Sequence, residues 1–275
     1  MQIILDELKR RDLPYTVTEV ENGSVILYAM GYAPFLYHAD EFEIDAFYLT
    51  SNKVYALSRE LAELKEGAIA SPHLNYKKLA EESGLGVRGK NDLIFSPEFG
   101  SLMALGAIFM EGEGFTLKRE IEPLPCNACG KCQKACPTSA LGGGFDRLLC
   151  IRDQMDNGIK DETMKILRKS VLGCNICSIS CPQNKVDRIR PPEELVEILK
   201  GDNFFRLCLE GKKALKLLGE YIGTNYIRPA KLLTLAVYSI NNVECDRKKW
   251  LKALSDYPDG RVRLAVDKMS PFVKV

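Results

Sequence analysis

The sequence predicts a mixed α/β chain in three parts: an N-terminal α/β domain (residues 1–120), a cysteine-rich insert (121–190) and a C-terminal α-helical cap (191–275). Three observations predict this division. Strand-like and amphipathic helical runs alternate up to about residue 120, most of the cysteines cluster in the middle segment, and apolar residues recur at helical spacing after Pro191 and Pro192. The chain is 46% hydrophobic and 27% charged, so it can bury a core, and this composition is not typical of a largely disordered protein.

The N-terminal part reads as helices and strands in alternation, which is typical of an α/β or α+β domain. Gly84 ends one of the helices, and a turn around Pro97 and Gly100 joins the last two strands. The expected elements are a surface helix over Met1–Arg11, a strand over Ser24–Met30, a helix over Ser51–Leu64 capped by Ser51 or Asn52, a helix over Asn75–Ser83, and strands over Asp92–Phe95 and Leu102–Met110.

The C-terminal part is expected to be helical nearly to its end. Apolar stripes mark helices over Lys212–Tyr221, Pro229–Ile240 and Arg261–Met269, and Pro229 suits the first turn of its helix. Short antiparallel helices in succession resemble a small HEAT-like repeat cap.

Charge and apolar patterning narrow the class of protein. The 38 basic and 37 acidic residues give a formal net charge of +1, which indicates neither a DNA-binding nor a membrane-binding surface. No run approaches the roughly 20 apolar residues of a membrane span. Ten cysteines without an export signal predict a cytoplasmic protein that uses its thiols for metal binding rather than for disulfides.

The cysteine spacing is the most specific signal in the sequence. Residues 126–136 read C-x₂-C-x₂-C-x₃-C followed by Pro137, and residues 174–181 read C-x₂-C-x₃-C followed by Pro182, with Cys150 between them. This is the spacing of a bacterial ferredoxin with two 4Fe–4S clusters, in which the cysteine beside proline ligates the other cluster. Structural zinc in Cys₄ sites is the alternative, but zinc sites rarely use this spacing. Cys208 and Cys245 lie outside the motif and are expected to be small buried apolar residues.

Because the cysteine beside each proline ligates the other cluster, the motif predicts two sets of ligands. The gap between Cys150 and Cys174 is wide, so an inserted helical loop must return the chain to the site. The first cysteine set is Cys126, Cys129, Cys132 and Cys181, and the second cysteine set is Cys136, Cys150, Cys174 and Cys177.

Beyond the cysteines, residues 68–240 resemble the epoxyqueuosine reductase family, which is related to the reductive dehalogenases. The chain looks like a shortened member of that family. The likeness is carried by residues 84–91 (GLGVRGKN), 96–100 (SPEFG), 136–140 (CPTSA), the Cys174–Lys185 segment and residues 226–229 (YIRP).

The resemblance implies a cobalamin held between the α/β domain and the clusters. It implies polar and close backbone contacts to the cofactor from Gly89, Lys90 and Asn91, and apolar contacts from Ile94 and Leu105. The alternative is that these residues are a structural turn and core, as any α/β fold would need.

One departure from the family concerns the proton donor. The family's aspartate falls at Ala70 here, and alanine cannot donate a proton. The catalytic residue is therefore unknown from the sequence. The replacement candidates are His73, which titrates near neutral pH, and Tyr76, with Tyr28, Tyr32 and Tyr48 as further tyrosines.

These observations predict an iron–sulfur oxidoreductase that passes single electrons through two 4Fe–4S clusters to a cobalamin and an unknown substrate, with an electron donor protein or reductant as partner. The alternative is a ferredoxin-type electron-transfer module that serves a corrinoid protein or another partner and has no substrate of its own. A third hypothesis is a protein that docks tRNA through the basic stretch Lys185–Arg190, although such a stretch is usually a solvated surface.

Overall fold

The computed structural model describes residues 1–112, 114–120 and 126–272. The strands are β1 (Tyr15–Val20), β2 (Gly23–Gly31), β3 (Glu43–Ile44), β4 (Ala68–Ala70), β5 (Val87–Arg88), β6 (Ile94–Phe95), β7 (Met103–Glu111) and β8 (Ser170–Leu172). Four strands of the N-terminal part form an antiparallel sheet in the order β1-β2-β7-β4, and the remaining strands form two short pairs, β3 with β8 and β5 with β6.

The central strand β2 is buried on both faces, which explains its nearly continuous apolar sequence. Ile26 and Tyr28 pack on one face against the helices α1 (Gln2–Arg10) and α2 (Ala46–Glu63). Leu27 packs on the other face against the helix α3 (Tyr76–Ser83). Alternate residues of β2 therefore belong to two different apolar clusters, as the period of two requires.

Two predictions for the N-terminal part are wrong in detail. The second helix begins at Ala46, five residues earlier than expected, because the Asp45 carboxylate caps it by accepting a hydrogen bond of 3.1 Å from the Phe47 amide. The strand expected over Asp92–Phe95 contains only Ile94 and Phe95, because Asp92 has a left-handed φ of 60° in a turn.

The cysteine-rich insert is built from short elements. Its helices are α4 (Lys131–Ala135), α5 (Ile151–Asn157), α6 (Asp161–Met164) and α7 (Ile176–Ile179). The connection from Cys150 to Cys174 contains the two short helices α5 and α6, in keeping with the predicted helical loop, and it also contributes β8, which pairs in parallel with β3 of the N-terminal part. This pairing ties the insert to the α/β domain directly before Cys174.

The cap is helical throughout most of its length. Its helices are α8 (Glu193–Leu199), α9 (Gly201–Glu210), α10 (Lys216–Ile222), α11 (Pro229–Ser239), α12 (Arg247–Leu254) and α13 (Gly260–Met269). Cys208 is fully buried here, as predicted, and Cys245 is partly buried against the same core. The HEAT-like arrangement of these helices stays a prediction.

The largest apolar core is shared by all three parts of the chain. It joins Phe42 and Tyr48 of the N-terminal part, Ile151 and Val171 of the insert, and helices of the cap. The predicted boundary between residues 120 and 121 adjoins residues 121–125, which lie outside the described residues, so the three-domain division stays a prediction. Within the described ranges, no helix has both the length and the apolar character that crossing a membrane requires.

Candidate metal centres and the adjoining cavity

The loop that carries the first three cysteines is shaped by two residues with left-handed backbone. Ala128 has a φ of 53° and Gly130 a φ of 69°, and Gly130 caps the helix α4. A left-handed alanine costs free energy, because its Cβ approaches the neighbouring carbonyl oxygen. Tight winding of this kind lets closely spaced thiols point to a common centre.

The first cysteine set shares one cavity. Cys126, Cys129, Cys132 and Cys181 all line it, together with Asn91 and Phe95 from the α/β domain. Cys129 is exposed to solvent, whereas Cys132 is buried. This cavity therefore reaches the outer surface of the molecule.

The second cysteine set lines a different and larger cavity, of about 400 Å³, which we call the central cavity. Its thiols are those of Cys136, Cys150, Cys174 and Cys177, and the Cys136 sulfur lies 3.6 Å from the Thr138 hydroxyl. Both cysteines are partly buried, and loss of solvent around the thiols raises the pKa of Cys174 to about 12 and that of Cys177 to about 11. As free thiols these groups would stay protonated at neutral pH, so binding a metal there must displace their protons.

Two packed helices relate the two cysteine sets. α4 contains Cys132 of the first set and ends directly before Cys136 of the second, and α7 contains Cys177 of the second set and ends two residues before Cys181 of the first. At 1.5 Å per residue, four residues of helix separate Cys132 and Cys136 by about 6 Å along the axis. The two sites are therefore close neighbours, as single-electron exchange between them would need.

The walls of the central cavity that face away from the thiols come from the α/β domain and from α5. They include Tyr32, Asp45, Phe47 and Arg152. The Arg152 guanidinium lies 4.8 Å from the centre of the Phe47 ring and 5.6 Å from that of Tyr48. Burial raises the pKa of the Asp45 carboxyl and raises the pKa of Tyr32 well above its ordinary value. The wall formed by these four residues thus combines two aromatic rings with the Arg152 guanidinium and the Asp45 carboxyl, and the cavity lining also carries Lys77 and Arg147.

The residues predicted to contact a corrin fall into two groups. Gly89 and Lys90 line a second cavity that adjoins the central one at Asp92, and Asn91 lines both the central cavity and that of the first cysteine set. Ile94 is 5% exposed and lies in the apolar core beside α3, and Leu105 is half-buried against the same core. Neither apolar side chain lines the central cavity.

The structure places the proton-donor candidates in different parts of the α/β domain. His73 is exposed, and the Tyr76 hydroxyl donates a hydrogen bond of 2.8 Å to the Pro72 carbonyl oxygen; neither lines the central cavity. Tyr28 is fully buried in the sheet, where its hydroxyl donates to the Val54 carbonyl oxygen. Tyr32 is the one candidate tyrosine that lines the central cavity.

Ala70, the residue at the family's acid position, ends the edge strand β4 opposite Ile108. Its side chain is half-buried, and it does not line the central cavity.

Two cavity residues escaped the reasoning from sequence. Asp45 stands where a helix-cap signal, an aspartate before an apolar run, could have been noticed. Arg152 carries no motif, because its place beside Phe47 results from contact between segments about a hundred residues apart.

Comparison with known proteins identifies the insert. Residues 125–184 match the family model of a "4Fe-4S double cluster binding domain". The predicted two-cluster iron–sulfur domain is therefore confirmed.

Curated relatives match in sequence over part of their length. An epoxyqueuosine reductase of Listeria monocytogenes is 31% identical over 130 residues, which cover 43% of this chain and 33% of the relative. One of Bacillus cereus is 35% identical over 116 residues, covering 41% of this chain and 30% of the relative. The matched region thus spans about a third of the length of these relatives.

Solved structures match over most of the chain. An epoxyqueuosine reductase of Streptococcus thermophilus superposes with a TM-score of 0.71 at 21% identity, covering 93% of this chain and 75% of that one. One of Bacillus subtilis, with its catalytic loop swung out of the active site, gives a TM-score of 0.70 at 19% identity, covering 90% and 73%. The predicted resemblance to the epoxyqueuosine reductase family is confirmed in sequence and in fold.

Proposed function

We propose that this protein is an iron–sulfur reductase of the epoxyqueuosine reductase type, which transfers single electrons from an external donor to a substrate bound in the central cavity. The observation that carries the proposal is the placing of the second cysteine set. Its four thiols open into a cavity whose other walls belong to the α/β domain. A pure electron carrier has no need of such a cavity beside its cluster site.

We assign all eight clustered cysteines as ligands, four to each site in the crossed arrangement. When bound, the two 4Fe–4S clusters supply one-electron transfer, and a cobalamin supplies the cobalt that would accept those electrons. The exposed Cys129 makes the first site the side where a donor protein or reductant docks. The roughly 6 Å along α4 then connects the first site to the second.

A cobalamin fits the loop of residues 89–91, on one observation in particular. The Asn91 side-chain nitrogen is buried and has no hydrogen-bond partner among the described residues, although buried donors are nearly always satisfied. A bound group that carries acceptor oxygens would satisfy it. Gly89, Lys90 and Asn91 would hold the cofactor across the two adjoining cavities. The roles of Ile94 and Leu105 stay predictions, because both pack into core.

The chain must also supply a proton and exclude water. Ala70 offers none, whereas Tyr32 and Asp45 both line the central cavity. We propose these two as the acids of the reaction. The apolar side chains of Leu93, Met103 and Leu141 line the same cavity and limit its water content.

Anaerobic purification followed by a cobalamin titration tests the proposal. We expect about eight iron and eight sulfide per chain from two 4Fe–4S clusters, and a change in the corrin absorption spectrum on binding. Matched Asn91→Leu protein should keep its iron and bind cobalamin more weakly. Stoichiometric zinc would contradict the iron–sulfur part of the proposal. Intact clusters with an unchanged corrin spectrum in the native protein would contradict the cobalamin part.

Reduction of epoxyqueuosine itself is a separate question, addressed by complementation. A strain without its epoxyqueuosine reductase would receive the native gene or Ala70→Asp, and queuosine in its tRNA would be measured. We expect no rescue by the native protein, because a positioned proton donor contributes about 10²–10⁴-fold to a rate. Activity in Ala70→Asp alone would show that one carboxylate was missing, whereas full rescue by the native protein would refute this expectation.

Two other functions have an observation in their favour. The alanine at position 70 favours an electron-transfer module without its own substrate. A similar epoxyqueuosine reductase, with a TM-score of 0.70 at 20% identity, was solved with an epoxyqueuosine-modified tRNA stem loop, which favours tRNA as a substrate. In the basic stretch proposed for RNA, however, Arg190 is already paired with Glu41 at 2.7 Å. A gel-shift experiment with a tRNA stem loop separates these two functions.

A further inference from the structure

Arg152 occupies an unusual position on the wall of the central cavity. It lies two residues after Cys150, in the first turn of α5, and its guanidinium contacts the faces of Phe47 and Tyr48. Its Nε lies 3.4 Å from the Tyr48 hydroxyl oxygen. Aromatic faces hold a planar guanidinium in a fixed orientation, so the remaining donors are pre-organised.

The other cations of the cavity wall are already neutralised. Lys77 pairs with Asp92 at 2.6 Å, and Arg147 pairs with Asp153 at 2.5 Å. Among the described residues, no carboxylate lies within 4.0 Å of the Arg152 nitrogens. Arg152 is thus the cation on this wall that stacks on aromatic rings and forms no salt bridge with a carboxylate among the described residues.

The nearest acidic group does not fill that role. Asp45 interacts with Arg152 through space, but its carboxylate is committed to the Phe47 amide and to the Asn175 side chain. Arg152 is exposed to solvent at the cavity wall, so its guanidinium is open to a ligand that enters the cavity, and a bidentate oxyanion is the ligand that matches its planar fork best.

We propose that Arg152 is an oxyanion-binding subsite, which takes a carboxylate or phosphate group of the molecule reduced in the central cavity. This inference rests on the proposed function, because it names the substrate class of the same site. The oxyanion pairs with the free donors of the Arg152 guanidinium. The apolar or aromatic body of the ligand then lies along the Phe47 side of the cavity, towards the second cysteine set.

Binding of small anions to the cluster-loaded protein tests the subsite without any need for turnover. The probes are benzoate, its neutral analogue benzamide and inorganic phosphate, each titrated calorimetrically under anaerobic conditions. The variants are Arg152→Gln, Arg152→Lys and, as the matched control, Arg147→Gln, which removes a paired cation from the same wall.

We expect benzoate or phosphate to bind the native protein and Arg147→Gln alike, and to bind Arg152→Gln about tenfold or more weakly. Arg152→Lys should be intermediate, because it keeps the charge and loses the planar fork. Benzamide should not distinguish the proteins. A preference for phosphate identifies a phosphate-bearing substrate, and a preference for benzoate identifies a carboxylate.

Equal anion affinity in the native protein and in Arg152→Gln would overturn the inference. If Arg152→Gln does not fold, equal affinity in Arg152→Lys and the native protein overturns it instead. Iron and sulfide are measured in every sample. Missing clusters would refute the proposed function alone, since Arg152 is held by Phe47 and Tyr48 and the anion titration still reports on the subsite.

Discussion

The two cysteine sets have nearly the same motif but very different surroundings. The first set lies in a surface loop, where Cys129 is exposed. The second opens into the central cavity, and its Cys174 packs against the largest apolar core of the molecule. The ligand pattern defines where a cluster forms, whereas the neighbouring elements decide what that cluster can do. An exposed site suits exchange with a partner, and a site that lines a cavity suits chemistry on a molecule bound in that cavity.

The difference arises from elements outside the cysteine motif. The parallel pair β3–β8 joins the insert to the α/β domain just before Cys174, and α2 begins beside it, directly after its cap Asp45. The first site has no such strand pair beside it among the described residues. Asn184, three residues after Cys181, joins it to the α/β domain through hydrogen bonds with Ser101.

The largest expected effect tests whether the two sets are crossed as assigned. Cys181→Ser should remove the cluster of the first site, and Cys136→Ser that of the second, because each serine withdraws one of four thiolates. Electron paramagnetic resonance of the reduced protein would identify the remaining cluster. Cys245→Ser, outside both sets, is the control and should lose neither. The opposite selectivity would show that the crossing is assigned wrongly.

The second prediction concerns solvent access. In native protein, a ferricyanide or chelator challenge should destroy the first cluster severalfold faster than the second, since an exposed ligand needs no opening of the core. Iron release in two phases, with spectra taken between them, measures both rates. Iron release in a single phase, with both clusters lost together, would contradict the expected difference in solvent access between the two sites.

The sequence predicts those features whose signal lies within a few neighbouring residues, and it does not predict those formed by contact between distant segments. The cysteine sets are encoded in local spacing, and the helix over residues 76–83 ends at Gly84, whose φ of 74° suits glycine. The β3–β8 pair could not be predicted, because strands of two and three residues have no periodicity to detect.

The limits are clearest for the apolar residues. Ile94 and Leu105 were expected at the cofactor, yet an apolar residue that contacts a corrin and one that contacts a helix give the same sequence signal. Arg152 shows the converse, since nothing in its local sequence marks an arginine whose neighbours come from α2. Functional geometry assembled from distant segments requires the fold.

The third prediction concerns the hydrogen bonds that join the first site to the α/β domain. The Asn184 side chain accepts a hydrogen bond of 2.9 Å from the Ser101 amide and donates one of 2.8 Å to the Ser178 carbonyl oxygen. Asn184→Ala should lower the free energy of unfolding by about 1–3 kcal/mol, because buried partners are left unsatisfied. Anaerobic urea titration would measure this. Asn157→Ala, at an exposed asparagine, is the control; equal effects would mean that Asn184 does not fasten the loop.

The smallest effect is expected at the second site, where Asp45 caps α2. Its carboxylate accepts from the Phe47 amide at 3.1 Å, while its own amide donates to the Leu172 carbonyl oxygen at 2.9 Å. Asp45→Ala should lower the free energy of unfolding by about 1 kcal/mol, because the helix loses its cap. Asp45→Asn should change it by only a few tenths of that amount, since asparagine caps a helix as well as aspartate does. Urea titration of both variants, with iron counted in each, separates capping from charge.

A loss of unfolding free energy in Asp45→Asn as large as that in Asp45→Ala would mean that the negative charge, and so its attraction to Arg152, stabilises this wall of the cavity. Arg152 would then be partly neutralised without a ligand, and the contrast between the two sites would rest on enclosure alone.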